Sequence, residues 1–108
     1  MKKIVINLEY KCFPIWQYDE KDCLLDNDLP EEFIGDTRID PLCVEVQTLF
    51  DNLYRDDSKE FSYRGFASSA EKDKFKEKFL HMEELVRDLM SETYEIQNRF
   101  DVDQLRGE

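Results

Sequence analysis

Phe75, Phe79, Met82, Val86 and Leu89 recur at spacings of four, three, four and three, which places them on one stripe of an α-helix. Leu42, Val46, Leu49 and Leu53 repeat the device at spacings of four, three and four, and Cys43, Phe50 and Tyr54 widen that second stripe. A helix with a single apolar stripe has one surface to bury and needs one apolar partner. Two such helices in 108 residues favour a layered fold over a helix enclosed on all sides. A coiled coil is the competing reading of the later stripe, but only about two heptads are present, fewer than a sustained seam needs.

Strand signals supply the partner layer. Ile4, Ile6, Leu8 and Tyr10 alternate with Val5, Asn7 and Glu9, the period of a strand with one buried face. The run Phe13 to Tyr18 predicts a second strand with Trp16 and Tyr18 on one face and Ile15 on the other. Asp19 to Asp22 reads as a polar turn and Cys23 to Leu25 as a short third strand. No period holds from Asp26 to Arg38, an irregular acidic loop with one helical turn at Pro30 to Phe33. Asp40 is placed as the N-cap of the first helix and Pro41 at its first position, with Arg55 in its last turn. Residues 59 to 66 read as a strand, and Ser68 with Glu71 forms a capping box for the second helix. Tyr94, Ile96, Asn98 and Phe100 predict a last strand before a frayed tail from Asp101. The expected fold is one α+β domain over residues 1–108. It is a two-layer sandwich in which a small, mostly antiparallel sheet carries two amphipathic helices on one face.

Charge is distributed unevenly. Thirteen acidic and three basic residues lie between Cys12 and Asp57, whereas the other 62 residues hold thirteen acids and twelve bases. Nearly the whole formal charge of -11 therefore sits on one stretch. Such a field costs stability through self-repulsion and steers basic partners. It repels phosphate backbones and anionic lipid, so direct binding to nucleic acid or membrane is not expected. The apolar run after Lys2 and Lys3 is too short for a signal sequence, and no stretch approaches a membrane span. Cys12, Cys23 and Cys43 are odd in number and lack metal-ligand spacing, so reduced, mostly buried thiols in a cytoplasmic, monomeric protein are expected.

Chemistry finds little to work with. Glu77, the single histidine His81, and Glu84 share a helical face, but a solvated flank explains them better than a metal site with one His. Ser68 is accounted for by capping, and three glycines leave no phosphate-binding loop. Asp26-Asn27-Asp28 lacks the continuation of a calcium loop. No catalytic residue, metal or cofactor is assigned. Trp16 and Tyr18 have two readings: half-buried aromatics with satisfied polar atoms, or interface anchors ringed by Asp19, Glu20, Asp22, Asp26 and Asp28.

The segment Phe13-Pro14-Ile15-Trp16-Gln17-Tyr18-Asp19-Glu20, followed by Leu25-Asp26-Asn27-Asp28-Leu29-Pro30-Glu31-Glu32, resembles small acidic immunity proteins of bacterial toxin systems. These are the cognate inhibitors of contact-dependent growth inhibition and related polymorphic toxin loci. The resemblance implies a cytoplasmic, non-enzymatic protein that binds one basic toxin domain, such as a nuclease, and blocks its active site or substrate entry. The partner face is then expected at Trp16, Tyr18, Asp19, Glu20, Asp22, Asp26, Asp28, Glu31 and Glu32. The same acidic design fits a nucleic-acid mimic from a phage or mobile element, acting on a host nucleic-acid enzyme.

Overall fold

The computed structural model describes residues 1–56 and 61–104. Strands β1 (Lys3–Ile6), β2 (Ile15–Tyr18) and β3 (Leu24–Asp26) are followed by helix α1 (Asp40–Asp51). A hairpin of β4 (Tyr54–Asp56) and β5 (Phe61–Tyr63) leads to helix α2 (Ser69–Met90) and strand β6 (Glu95–Asn98). The main sheet has the order β3-β2-β1-β6, and β4 with β5 forms a separate two-stranded ribbon. The β1–β2 and β2–β3 ladders are antiparallel, while β6 lies parallel to β1. A parallel pair needs a long crossover, and here the helices and the ribbon provide it. The expected α+β two-layer sandwich is the architecture found.

Register decides what each face of the sheet carries. Ile6 lies opposite Ile15, and Ile4 lies between Gln17 and Ile96. Ile4, Ile6 and Ile15 join one core with Leu42, Cys43, Val46 and Phe50 of α1 and Phe75, Phe79, Met82, Val86 and Met90 of α2. Both helical stripes thus meet the same sheet face. Among the described residues no polar or charged side chain is buried. Specificity of packing comes from shape, including an edge-to-face contact of Phe50 with Phe100 at 5.8 Å and a tilted one of Phe79 with Phe100 at 5.5 Å. Ser68 caps α2 as expected, its hydroxyl accepting from the Glu71 N–H at 3.2 Å, which is one half of the capping box. Glu83 and Arg87 pair at 3.1 Å, four residues apart.

Several elements depart from the sequence reading. Helix α1 ends at Asp51, before Leu53, Tyr54 and Arg55. Tyr54 instead pairs across the ribbon with Tyr63, their rings 5.2 Å apart, and its ring also meets Tyr10 and Phe50. Tertiary aromatic packing overrides the helical period there. Ile39 stands at the N-cap of α1, because the Asp40 N–H already bonds the Asp36 carbonyl and the turn starts earlier. The Asp40 carboxylate accepts from Gly35 N–H at 2.7 Å, bracing a loop in which Gly35 has φ +80°. The α2 stripe closes on Met90, with Leu89 only half-buried. Val5 is buried although it faces away from the helices. The start of the tail is docked: Val102 is buried within a 3-10 turn, and Lys76 meets Asp103 at 2.7 Å. Part of the strand expected at residues 59 to 66 and the end of the tail lie outside the described residues.

Truncating Phe79 to Ala removes a ring from the centre of both layers and is expected to cost about 3–5 kcal/mol in equilibrium urea unfolding. Leu80→Ala, one residue away but exposed, is expected to stay within about 0.5 kcal/mol.

Candidate functional site

The sheet face turned away from the helices is built from alternate residues of its strands. Val5 lies opposite Trp16, and Lys3 lies between Tyr18 and Glu95. Trp16 is half-buried, and its indole Nε1–H donates to the Asn7 carbonyl at 3.0 Å. That bond fixes the ring against the β1–β2 loop and leaves its apolar surface to cover Val5. Tyr18 is half-buried too, with the Arg99 guanidinium 5.3 Å from its ring centroid. The two aromatics therefore share one face, as the period of β2 predicts, with the Trp16 N–H satisfied and the Tyr18 ring faced by Arg99.

The acids of the 19–32 segment divide into two groups. Asp19, Glu20 and Asp22 stand on the β2–β3 turn, at the end of the sheet where β1 and β6 begin. They line an open recess of about 710 Å³ together with Lys3, Arg87, Tyr94 and Glu95. Asp19 is structural as well as charged, since its Oδ1 accepts from the Lys21 and Cys23 N–H groups, both at 2.9 Å. Asp22, held at φ 64° in the same turn, binds the Lys3 ammonium at 2.6 Å. The hydrogen bond and charge of Lys3 hold its carboxyl below the usual range, and Lys3 is raised in turn. Glu20 meets the N-terminal amine only at 3.8 Å. Asp26 ends β3, Asp28 and Glu31 lie beyond it, and none of the three lines the recess. Asp26 Oδ1 and Asp28 Oδ1 accept from the next N–H along the chain, at 2.8 and 2.7 Å.

Glu32 connects the segment to the helix layer. Its Oε1 accepts from the Tyr94 hydroxyl at 2.7 Å, which holds the Glu32 carboxyl below its ordinary range. Burial, aided by the neighbouring carboxylate, pushes the Tyr94 phenol up to about 12. Farther along, Asp36 leaves the acidic field, because Arg38 neutralises it at 2.7 Å and its hydrogen bonds hold that carboxyl down to about 2.

Sequence reasoning missed the cations woven into this face. Lys3 bridges Asp22 and Glu95, and Arg99 covers Tyr18. Arg99 follows Gln97 by two residues, so the alternation of β6 extended one step held that signal. Missed as well was Tyr94, taken only as a strand residue. Cys43 is buried, its thiol pushed up to about 12 by desolvation, but Cys12 is half-buried and Cys23 exposed on the turn, against the expectation of mostly buried thiols. Glu77, His81 and Glu84 are all solvent-exposed along α2. Among the described residues no three metal-ligating side chains converge, and no helix is long and apolar enough to cross a membrane.

Comparison with family models, curated proteins and solved structures finds no match for this chain.

The Tyr94–Glu32 contact gives a pH test. A phenol raised in the folded state contributes stability that is full below the ordinary tyrosine pKa near 10 and is lost as pH rises towards about 12. Glu32, lowered on folding, contributes stability that is lost as pH falls through the acid range. Tyr94→Phe is expected to lower stability at neutral pH. The difference in unfolding free energy between the two proteins, measured by urea at a series of pH values, should narrow in strong acid and again as pH rises from about 10 towards 12.

Proposed function

We propose that this chain is an immunity protein acting in the cytoplasm. It binds and neutralises a basic toxin domain, a nuclease, by occupying that domain's active-site or substrate-binding cleft. The observation that carries this reading is the concentration of seven acids and one lysine between Asp19 and Glu32, around an aromatic pair held on the open face of the sheet. Nuclease clefts are basic because they receive phosphates. A carboxylate-rich surface fits such a cleft and accelerates encounter, to about 10⁸–10⁹ M⁻¹s⁻¹ at low salt. Trp and Tyr are the residue types that anchor interfaces once encounter has occurred. Asp19 and Asp22 are engaged within the fold, by two turn N–H groups and by the Lys3 ammonium, and so meet a partner less freely. Glu20, Asp26 and Glu31 are exposed and carry the outward charge.

The test follows that division. Glu20, Asp26 and Glu31 changed together to Lys should leave the circular dichroism spectrum and unfolding midpoint close to the parent. Association with the basic partner should slow by about tenfold or more at low salt, with the difference shrinking as salt rises. An unchanged association rate would remove these residues from the interface. Asp19→Lys is unsuitable for this purpose, since losing the acceptor of two turn N–H groups would disturb the fold itself.

A further inference from the structure

Strand β3 is one of the two outer strands of the main sheet and carries two adjacent exposed leucines, Leu24 at 53% and Leu25 at 49% exposure. Natural edge strands are shielded by lysine, proline or a covering element. Neither lysine nor proline stands on β3; its protection is its shortness, its bulge and Asp26, and Leu24 and Leu25 remain exposed beside them. The backbone is also turned to receive a partner. The Cys23 carbonyl faces β2, where it accepts from Asp19 N–H at 2.9 Å. The Cys23–Leu24 peptide is trans, so the Leu24 N–H points the opposite way, out of the sheet edge. Pairing then shifts from Tyr18–Leu24 to Gln17–Asp26, leaving Leu25 as the extra residue of a bulge.

We propose that β3 is a docking edge, along which an extended basic segment of the partner adds as a fifth strand. The inference rests on the reading of the partner as a basic protein, and adds how it is held. Charge selects the occupant. Asp26 lies on the edge and Asp28 follows it, so a second copy pairing there would set like charges against each other. A strand bearing lysine or arginine gains from the same residues. Leu24 and Leu25 supply apolar contact, while main-chain bonds fix the register. Three residues of edge permit a short pairing only, which keeps the strand from templating aggregation while it waits for its partner.

The test uses the whole protein with a defined probe, a capped heptapeptide of alternating lysine and valine. A control peptide of identical charge carries an N-methyl group on every residue. Backbone amides of the ¹⁵N-labelled protein are followed by NMR during titration. The expected result is a downfield shift and slowed exchange at Leu24, with neighbours in β3 affected and β6 not. The control is expected to bind about tenfold more weakly, as befits the loss of one or two main-chain bonds. Equal binding of the control would overturn strand addition while leaving the acidic face intact as a charge-driven site. Perturbation of β6 in place of β3 would overturn it, as would failure of the alternating peptide to bind at all. Association of a double variant with Glu20 and Glu31 changed to Lys, neither residue lying on β3, judges the wider reading independently of either result.

Discussion

Packing of the two helical stripes against Ile4, Ile6 and Ile15 fixes the layer order, and the remaining surfaces follow from it. Each helix has one apolar side, so one face of the sheet is covered and the other is left to its own side chains. The parallel pairing of β1 with β6 locks the arrangement, because the last strand reaches its place only after both helices have crossed over the sheet. On the uncovered face, Val5 would lie open to water without Trp16 opposite and Tyr18 along the same strand. The aromatic pair thus has a structural task and, in the same position, becomes the apolar centre of the exposed face.

Electrostatics on that face is a matter of which acids are spent within the fold. Lys3 neutralises Asp22, the Tyr94 hydroxyl engages Glu32, and Asp19 holds the β2–β3 turn. These contacts fix the end of the sheet and bring charge together at tolerable cost, since each is at or near the surface, where ion pairs contribute little to stability. Glu20, Asp26 and Glu31 have weaker internal ties and project the field outward. Edge strand β3 carries Asp26 and lies between Glu20 and Glu31 in the chain, which sets exposed main chain and two leucines beside the outward charge.

Periodicity made most of this fold legible. The alternation through Ile15, Trp16, Gln17 and Tyr18 predicted which side chains share a face, and the four-three spacing of Phe75 to Val86 predicted the buried side of α2. The end of α1 was illegible because Leu53 and Tyr54 continue the helical period, while the Tyr54 ring packs across the β4–β5 ribbon and the Leu53 carbonyl accepts from the N–H groups of Arg64 and Gly65. Local pattern contains no record of such a distant partner. The same limit applied to the site. Acid density located the segment from Asp19 to Glu32, but only folding shows that Lys3, Tyr94 and Arg99 join it from the two ends of the chain.

Affinity co-purification of the tagged protein from its native cells, at low and at physiological ionic strength, tests the central claim most directly. The account predicts one basic partner in a stoichiometric complex, more readily captured at low salt, whose nuclease activity is abolished while this protein is bound. A folded bait that captures no basic protein while neighbouring genes are expressed would contradict it. So would a partner whose activity is untouched by saturating amounts of this protein.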